Sequence, residues 1–292
     1  MDNTTYNEIL IMLYLSVLIY KYNNGKFIFE NNKTLKENIY LLNNKYINGL
    51  NDVDFDDIEI KGLLYLSNMF PDGKIISFID IDEIQVGIIV NDVLKNIIII
   101  FRGTDSFSDI LYDCSITKKQ LENDIFVHGG FYDQLNTIYG NLLDLIKNYI
   151  ILEYDIYISG HSAGGAYSLI LSHLLSKMVN KPIKVITFGC PRIGNYQWKL
   201  LYNLNNNIIN YRVSNKKDII TALPIYDYYH VGINIHLVDD DVEININNDY
   251  IYYNYYCGLI FRSYNIFDHL LKNYHNNLIN KKEIFNEKIK LL

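Results

Sequence analysis

The chain has 292 residues, of which 49% are hydrophobic and 20% are charged, and this is the composition of an ordinary globular protein. Its formal net charge is −7 and no basic stripe stands out, so nucleic acid is not an expected partner, because neutralising phosphates requires clustered Lys and Arg. The length suits one large α/β domain or two small ones, and no shift in composition marks a linker. We expect a single domain over residues 1–292, with residues 1–60 as a helical and irregular N-terminal extension packed on it.

The first apolar run, Ile9–Tyr20, is the one segment that invites comparison with a membrane or export signal. It is too short to cross a bilayer, and Asp2 and Glu8 precede it where a secretory signal carries positive charge. No small-residue cleavage site follows it. We therefore predict a buried N-terminal helix and no transmembrane segment.

Two acidic runs, at residues 52–57 and 239–241, raise the question of calcium. The first starts like an EF-hand loop, but Asp57 stands where that loop requires glycine and Leu63 stands where it requires a bidentate glutamate. The second is a short charge run typical of a solvated hairpin. We predict no metal site and no cofactor.

The three cysteines, Cys114, Cys190 and Cys257, do not form the pattern of a disulfide framework, and their spacings fit no zinc site. This weakly favours a reducing compartment. Two N-x-[ST] sequons, at Asn3 and Asn32, point instead to secretion, although such triplets are frequent in an Asn-rich chain. The compartment is left open, with the cytosol weakly favoured.

The chain beyond residue 70 alternates between predicted strands and helices. Asn96–Phe101 is a short continuous apolar run, which indicates a strand buried on both faces of a parallel sheet. The other predicted strands are Lys74–Ile79, Gln85–Val90, Asp155–Ser159, Ile183–Phe188, Asn207–Val213 and Tyr229–His236, and the predicted helices are Gln134–Ile150, Ala163–Met178 and Phe267–Ile279. This order predicts an α/β fold with a mostly parallel central sheet flanked by helices. Ligands of such sheets bind at the carboxyl ends of the strands.

One motif stands at such an end. Residues 160–164, Gly-His-Ser-Ala-Gly, fit G-x-S-x-G and lie between a predicted strand and a predicted helix. This context is typical of a nucleophile elbow, in which a strained turn lifts the serine above the sheet. Gly160 and Gly164 are expected to be glycines because a Cβ there would collide with the neighbouring strand or helix. Ser162 is the predicted nucleophile.

A serine hydroxyl needs a base and an orienting acid, and in α/β-hydrolases these follow the serine in the order acid, then histidine. Asp218 suits the acid because it follows a predicted strand. Four histidines follow Ser162, and they are His230, His236, His269 and His275. His269 is the preferred base, since it opens the last predicted helix. We expect the first two to be structural and the last to be exposed.

The sequence resembles the class-three, fungal-type lipases of the α/β-hydrolase superfamily. The matching segments lie within residues 75–280 and are Phe101–Thr104, Val127–Phe131, Ile158–Gly165, Thr187–Asn195, the Asp218 segment, His230–Gly232, and Asp268–His269 with Tyr274. The resemblance implies a catalytic triad of Ser162, Asp218 and His269. It also implies an oxyanion hole formed by the backbone N–H groups of Thr104 and Ala163, and the start of a helix is a suitable place for such a donor. Arg102, His128 and Arg192 are expected to hold loops.

The family carries its lid between Thr104 and His128. In that stretch, spacing of three and four residues places Phe107, Ile110 and Leu111 on one helical face. The segment is either a lid over an acyl groove or a plain surface helix, and it contains no tryptophan.

The resemblance implies hydrolysis of carboxylic esters through an acyl-enzyme, with lipid esters as substrates, possible action at a lipid–water interface, and acylglycerols as the first choice. Phospholipid sn-1 esters and feruloyl-type polysaccharide esters are the alternatives within the family. A non-catalytic lipid-binding protein is the alternative from another class, and its signature would be a broken triad or a lost elbow glycine. Neither is present. No protein partner can be inferred.

Overall fold

The computed structural model describes residues 4–21, 30–43, 56–104, 117–245 and 264–290. Its strands are β1 (Lys74–Ile81), β2 (Ile84–Asn91), β3 (Asn96–Phe101), β4 (Lys118–Glu122), β5 (Ile125–His128), β6 (Asp155–His161), β7 (Ile183–Phe188), β8 (Ile208–Asn215), β9 (Ile233–Leu237) and β10 (Val242–Asn245). Its helices are α1 (Thr4–Leu18), α2 (Leu35–Asn43), α3 (Asp57–Met69), α4 (Gly129–Ile151), α5 (Ala163–Ser176), α6 (Tyr196–Asn203), α7 (Leu271–Asn280) and α8 (Lys282–Ile289). Three short 3₁₀ turns accompany them, at Ile19–Lys21, Ile220–Ala222 and Ile266–His269.

Eight of these strands form the central sheet, in the order β1-β2-β3-β6-β7-β8-β9-β10. From β3 to β9 every neighbouring pair is parallel, and the pairs at the two edges are antiparallel. The register pairs Phe101 with Gly160, His161 with Phe188, and Phe188 with Val213. The residues that follow β3, β6, β7 and β8 therefore emerge side by side at one edge of the sheet.

Strand β3 shows why the sheet lies between two layers of helices. Successive side chains of a strand point to opposite faces. Ile98 and Ile100 belong to a core cluster with α1, α3 and the C-terminal helices, whereas Ile97, Ile99 and Phe101 belong to a second cluster with α4 and α5. All five are buried. The prediction of an α/β fold with a mostly parallel sheet, and of a strand here buried on both faces, is confirmed.

Helix α1 lies in the core. Its Tyr6 ring meets the edge of Phe285 with 5.4 Å between centroids. The Glu8 carboxylate accepts hydrogen bonds from the Tyr157 hydroxyl at 3.0 Å and from the Lys184 ammonium at 2.6 Å, which ties the helix to β6 and β7. The predicted buried N-terminal helix is confirmed, and no helix of the described ranges has the length and apolarity needed to cross a bilayer. The division into one domain with an N-terminal extension stays a prediction.

The acidic run at residues 52–57 ends as a helix cap. Asp56 accepts the backbone N–H groups of Ile58 and Glu59, each at 2.9 Å, and the Glu59 carboxylate accepts the N–H of Asp56 at 2.8 Å. This capping box satisfies amides that a helix start leaves without partners. Residues 52–55 lie outside the described part. The second acidic run forms the turn between β9 and β10, as expected, with Asp239 paired to Lys216 at 2.7 Å.

The structure differs from the prediction in several elements. Helices α2, α3, α6 and α8, the β4–β5 hairpin and β10 are not predicted, because they are short, polar or without clear periodicity. The last predicted helix begins at Leu271, and a 3₁₀ turn containing His269 precedes it. The expected exposure of His275 is wrong, since it is buried and its Nε2 pairs with the Tyr14 hydroxyl at 3.0 Å. The Asn-rich sequence around His275 suggests a solvated face, but this face of α7 packs on α1.

Candidate active site

The elbow places Ser162 between the end of β6 and the start of α5. Its backbone has φ +58° and ψ −125°, a conformation that is costly for a residue with a side chain and that is typical of functional sites. The turn is closed tightly around it, because a Cβ on Gly164 would lie 2.5 Å from the carbonyl oxygen of Phe101, and a Cβ on Gly160 would overlap the Gly164 backbone. Both positions therefore require glycine.

Asp218 follows β8 and is buried. Its Oδ2 accepts hydrogen bonds from the Tyr274 hydroxyl at 2.6 Å and from Nδ1 of His269 at 2.8 Å, and its Oδ1 accepts the N–H of Ile220 at 2.9 Å. Burial, and next the charge of Asp218, raise the pKa of Tyr274 well above 10, so this hydroxyl keeps its proton. Every polar neighbour of the carboxylate that these bonds identify is a donor, which suits an ionised acid.

A network of its own holds His269 beside the acid. The N–H of Asn265 donates to the Lys217 carbonyl at 2.8 Å, and the Asn215 side chain donates to the Asp268 carbonyl at 2.9 Å. The turn that carries His269 is thus fastened to the end of β8, next to Asp218. With Nδ1–H donating to the acid, Nε2 of His269 is the acceptor that a general base requires.

The nucleophilic oxygen and the basic nitrogen of the predicted triad make no competing hydrogen bond among the described residues. Within the described residues, the buried Oγ of Ser162 and the buried Nε2 of His269 have no hydrogen-bond partner. The bond between such a pair is often long before substrate binds and then tightens. His269 lies close to the elbow, because its ring is in tilted contact with that of His161, the residue before the serine, with 4.4 Å between centroids.

The two predicted oxyanion donors belong to segments that adjoin the serine. Ala163 is the first residue of α5, where amides have no acceptor within the helix. Thr104 follows the end of β3, and the adjacent Gly103 lies so near the serine that a Cβ built there would be 3.1 Å from Cβ of Ser162. Arg102 anchors this loop, as expected, since its guanidinium donates to Oε1 of Gln85 at 2.5 Å.

Other predicted residues take supporting positions. The Arg192 guanidinium donates to the carbonyls of Ala222 and Pro224, at 2.6 and 3.1 Å. His230 donates from Nε2 to the Thr221 carbonyl at 2.7 Å. Both hold the chain that follows Asp218. The candidate lid residues, which are Phe107, Ile110 and Leu111, lie outside the described residues.

Three residues of the site cannot be assigned a role from the sequence. Tyr274 belongs to one of the matching segments without a stated role, and His161 is the variable residue of the elbow motif. Tyr20, in the 3₁₀ turn after α1, donates from its hydroxyl to Nδ1 of His161 at 2.9 Å. No local pattern joins Tyr20 to a residue 141 positions away. The pairing follows only from the position of α1 in the fold.

Comparison with known proteins agrees with this geometry. The sequence profile of the family described as lipase (class 3) matches residues 98–228, which include Ser162 and Asp218 and stop before His269. The lipase ZK262.3 of Caenorhabditis elegans is 29% identical over 146 residues, which are 47% of this chain and 40% of the nematode protein. The match spans less than half the length of that relative.

Similar folds are found among solved structures. Lipase II from Rhizopus niveus has a TM-score of 0.68 at 20% identity, with 92% of this chain and 94% of the fungal chain covered. A triacylglycerol lipase whose catalytic centre is described as a serine protease triad has a TM-score of 0.67 at 21% identity, with the same coverage of both chains. At these identities the likeness concerns the fold.

Proposed function

Because this chain belongs to the class 3 lipase family, we propose that it is a serine carboxylester hydrolase that acts on lipid esters. The observation that carries the proposal is the arrangement at the elbow. A strained Ser162, whose Oγ has no hydrogen-bond partner among the described residues, lies near a buried His269, which is oriented by a 2.8 Å hydrogen bond to Asp218. A protein that only binds lipid has no use for a strained serine beside an oriented base.

We assign the roles as follows. Oγ of Ser162 attacks the ester carbonyl carbon while Nε2 of His269 accepts the hydroxyl proton, and Asp218 stabilises the imidazolium that results. The amides of Ala163 and Thr104 stabilise the negative oxygen of the tetrahedral intermediate. His269 then returns the proton to the leaving alcohol, and the acyl group stays on Ser162. In the second half of the reaction, His269 takes a proton from a water molecule that attacks the acyl carbon, and it passes this proton to Oγ of Ser162 as the acid leaves.

Apolar side chains beside the base support a lipid ester as the substrate. Phe267 is 67% exposed and Leu270 is 51% exposed, and they stand on either side of the Asp268–His269 pair. Large apolar side chains exposed next to a reactive group mark a surface suited to an apolar ligand. We propose acylglycerols as substrates, and Phe107, Ile110 and Leu111 as a lid that acts at a lipid–water interface.

The test is hydrolysis of a short and a long p-nitrophenyl ester and of emulsified triacylglycerol, with Ser162→Ala beside the wild type. We expect the wild type to cleave the long ester and the emulsion, and Ser162→Ala to lose both activities. Ser172→Ala is the matched control, because Ser172 is also a buried serine of this region but bonds to Leu169 and Tyr202. It should retain the wild-type rates.

Each other outcome has a distinct meaning. Cleavage of the short ester alone would replace the lipase with an esterase that has a small pocket. Cleavage of phospholipid vesicles and not of triacylglycerol would move the substrate to the sn-1 esters of phospholipids. Undiminished turnover by Ser162→Ala would refute the mechanism, and lipid binding without any turnover would favour the non-catalytic alternative.

A further inference from the structure

His161 makes two contacts with the proposed base, one through its ring and one through a hydrogen bond. The two imidazole rings are in tilted contact, with 4.4 Å between centroids and 33° between planes. In addition, Nε2 of His161 bonds to the carbonyl oxygen of His269 at 2.9 Å. A carbonyl oxygen only accepts, so His161 carries its proton on Nε2 and donates it.

Tyr20 fixes that arrangement from the other side of the ring. Since Nε2 carries the proton, Nδ1 of His161 is an acceptor, and the Tyr20 hydroxyl donates to it at 2.9 Å. The tyrosine is itself held in place. The Arg102 guanidinium lies 5.2 Å from the centre of its ring, and Gly103 lies so close to its hydroxyl that a side chain there would collide with it.

The charge of His161 suits a position beside a base that becomes protonated. Burial, and next the neighbouring His269, lower the pKa of His161 well below 6.5, so this ring is neutral in the working range of a histidine base. A neutral ring does not repel the imidazolium of His269. Among the described residues, the titratable groups around the pair include Tyr20, Tyr274, whose ring centre is 6.3 Å from that of His161, and Asp218 on the far edge of His269.

We propose that Tyr20 and His161 are positioning residues for the reaction: they hold the ring of His269 so that its Nε2 faces Ser162 while its Nδ1 stays on Asp218. This inference rests on the proposed function. Asp218 holds one edge of the His269 ring, and His161 holds one face of the ring and the backbone of the same residue. A displacement of about 1 Å in such a group costs up to about 100-fold in rate, so this second support has a measurable effect.

The first test is the kinetics of Tyr20→Phe. This change leaves Nδ1 of His161 without its donor, and the ring can then move its proton to Nδ1 and lose the bond to His269 as well. We expect kcat to fall on the order of ten-fold while KM changes by less than about two-fold, because only positioning is affected. Tyr14→Phe is the matched control, since Tyr14 lies in the preceding helix and makes a comparable buried bond to His275, at 3.0 Å. It should leave kcat unchanged.

Two variants of His161 separate the ring contact from the hydrogen bonds. His161→Phe keeps a flat ring and loses both bonds, so its kcat should fall at least as far as that of Tyr20→Phe. His161→Gln keeps an N–H donor near the position of Nε2 and loses the ring. Partial recovery in His161→Gln relative to His161→Phe would assign the effect to the bond with the His269 carbonyl.

A spectroscopic measurement tests the same inference without turnover. The proton between Nδ1 of His269 and Asp218 should give a strongly deshielded ¹H NMR signal, which Asp218→Asn would identify by removing it. We expect this signal to broaden or shift in Tyr20→Phe and His161→Phe and to match the wild type in Tyr14→Phe.

Wild-type kcat and an unchanged signal in Tyr20→Phe and His161→Phe would overturn the inference. So would a loss of rate no larger than that of Tyr14→Phe, because it would reflect stability alone. Failure of the proposed function is a separate result, in which the wild type shows no hydrolysis that depends on Ser162. The NMR signal still reports in that case whether Tyr20 and His161 hold the histidine.

Discussion

Replacing Asp218 with asparagine tests the proposed acid, because the amide keeps the size of the carboxyl group and changes only its hydrogen bonding. The carboxylate receives donors at both oxygens: Oδ2 accepts from Tyr274 and His269, and Oδ1 accepts from the N–H of Ile220 and also lies 3.0 Å from Nδ1 of His269. An amide must place its NH₂ group at one of these two positions. Each position has a different consequence.

An NH₂ group facing Ile220 would set two N–H donors against each other at about 2.9 Å, and the backbone amide cannot turn away. Facing His269, the NH₂ group can be accommodated if the imidazole moves its proton from Nδ1 to Nε2 and the tyrosine hydroxyl rotates to accept. We expect this second orientation. It leaves Nε2 of His269 protonated and unable to take the proton of Ser162, so kcat should fall on the order of 10⁴-fold, the scale found when a triad acid is changed to its amide.

The assay is steady-state hydrolysis of the long p-nitrophenyl ester, with KM and the thermal midpoint measured on the same preparation. KM should stay within about two-fold, because the change affects the transition state and not ground-state binding. Asp155→Asn is the control, since it removes the carboxylate that pairs with Lys181 at the opposite end of β6. If folded Asp218→Asn retained more than about a tenth of the wild-type kcat, the assignment of Asp218 as the acid would be wrong.

Tyr274→Phe removes a buried donor at 2.6 Å from the Asp218 carboxylate, and urea denaturation should show a loss of about 1.5–3 kcal/mol in the free energy of unfolding. Gly164→Ala puts a Cβ 2.5 Å from a backbone oxygen of β3 and should cost at least about 1–3 kcal/mol, whereas Gly140→Ala, with open space around the new Cβ, should raise the thermal midpoint slightly. Burial lowers the pKa of His173 to about 4. Between about pH 6.5 and about pH 4 this side chain is therefore protonated in the unfolded chain and neutral in the folded protein. The free energy of unfolding should therefore fall as the pH is lowered from about 6.5 to about 4, by up to about 1.4 kcal/mol per pH unit for this group. The slope of this free energy against pH should be smaller in His173→Phe.

The central part of the fold is predictable because its signals are local. In the strand Asn96–Phe101, the unbroken apolar run from Ile97 to Phe101 indicates burial on both faces. The elbow is recognisable because its turn requires glycine at Gly160 and Gly164. By contrast, the strand of residues 118–122 is largely exposed and has neither signal. Elements whose stability comes from distant neighbours leave no periodicity to detect.

The residues of the site likewise fall into those that a local pattern predicts and those that it does not. Ser162 follows from a motif, and Asp218 follows from its place after a strand. Other roles depend on which helix packs over which strand, and no local sequence pattern predicts that packing. This applies to Tyr20, His161 and Tyr274. The wrong expectation for His275 has the same origin, since its burial depends on contact with α1.

The structure also explains why the acid and the base stay together although 51 residues separate them. Parallel strands bring the chain ends after β3, β6 and β8 to one edge of the sheet, and this alone gathers the oxyanion loop, the serine and the acid. The histidine comes from outside the sheet and needs its own attachment, which it has through the bridge between Asp218 and Asn265 and the bond from Asn215 to the Asp268 carbonyl. Both attachments start from the end of β8. The bond from Nε2 of His161 to the His269 carbonyl adds a third attachment, from the end of β6, so the histidine is tied to the segments that carry both the acid and the serine.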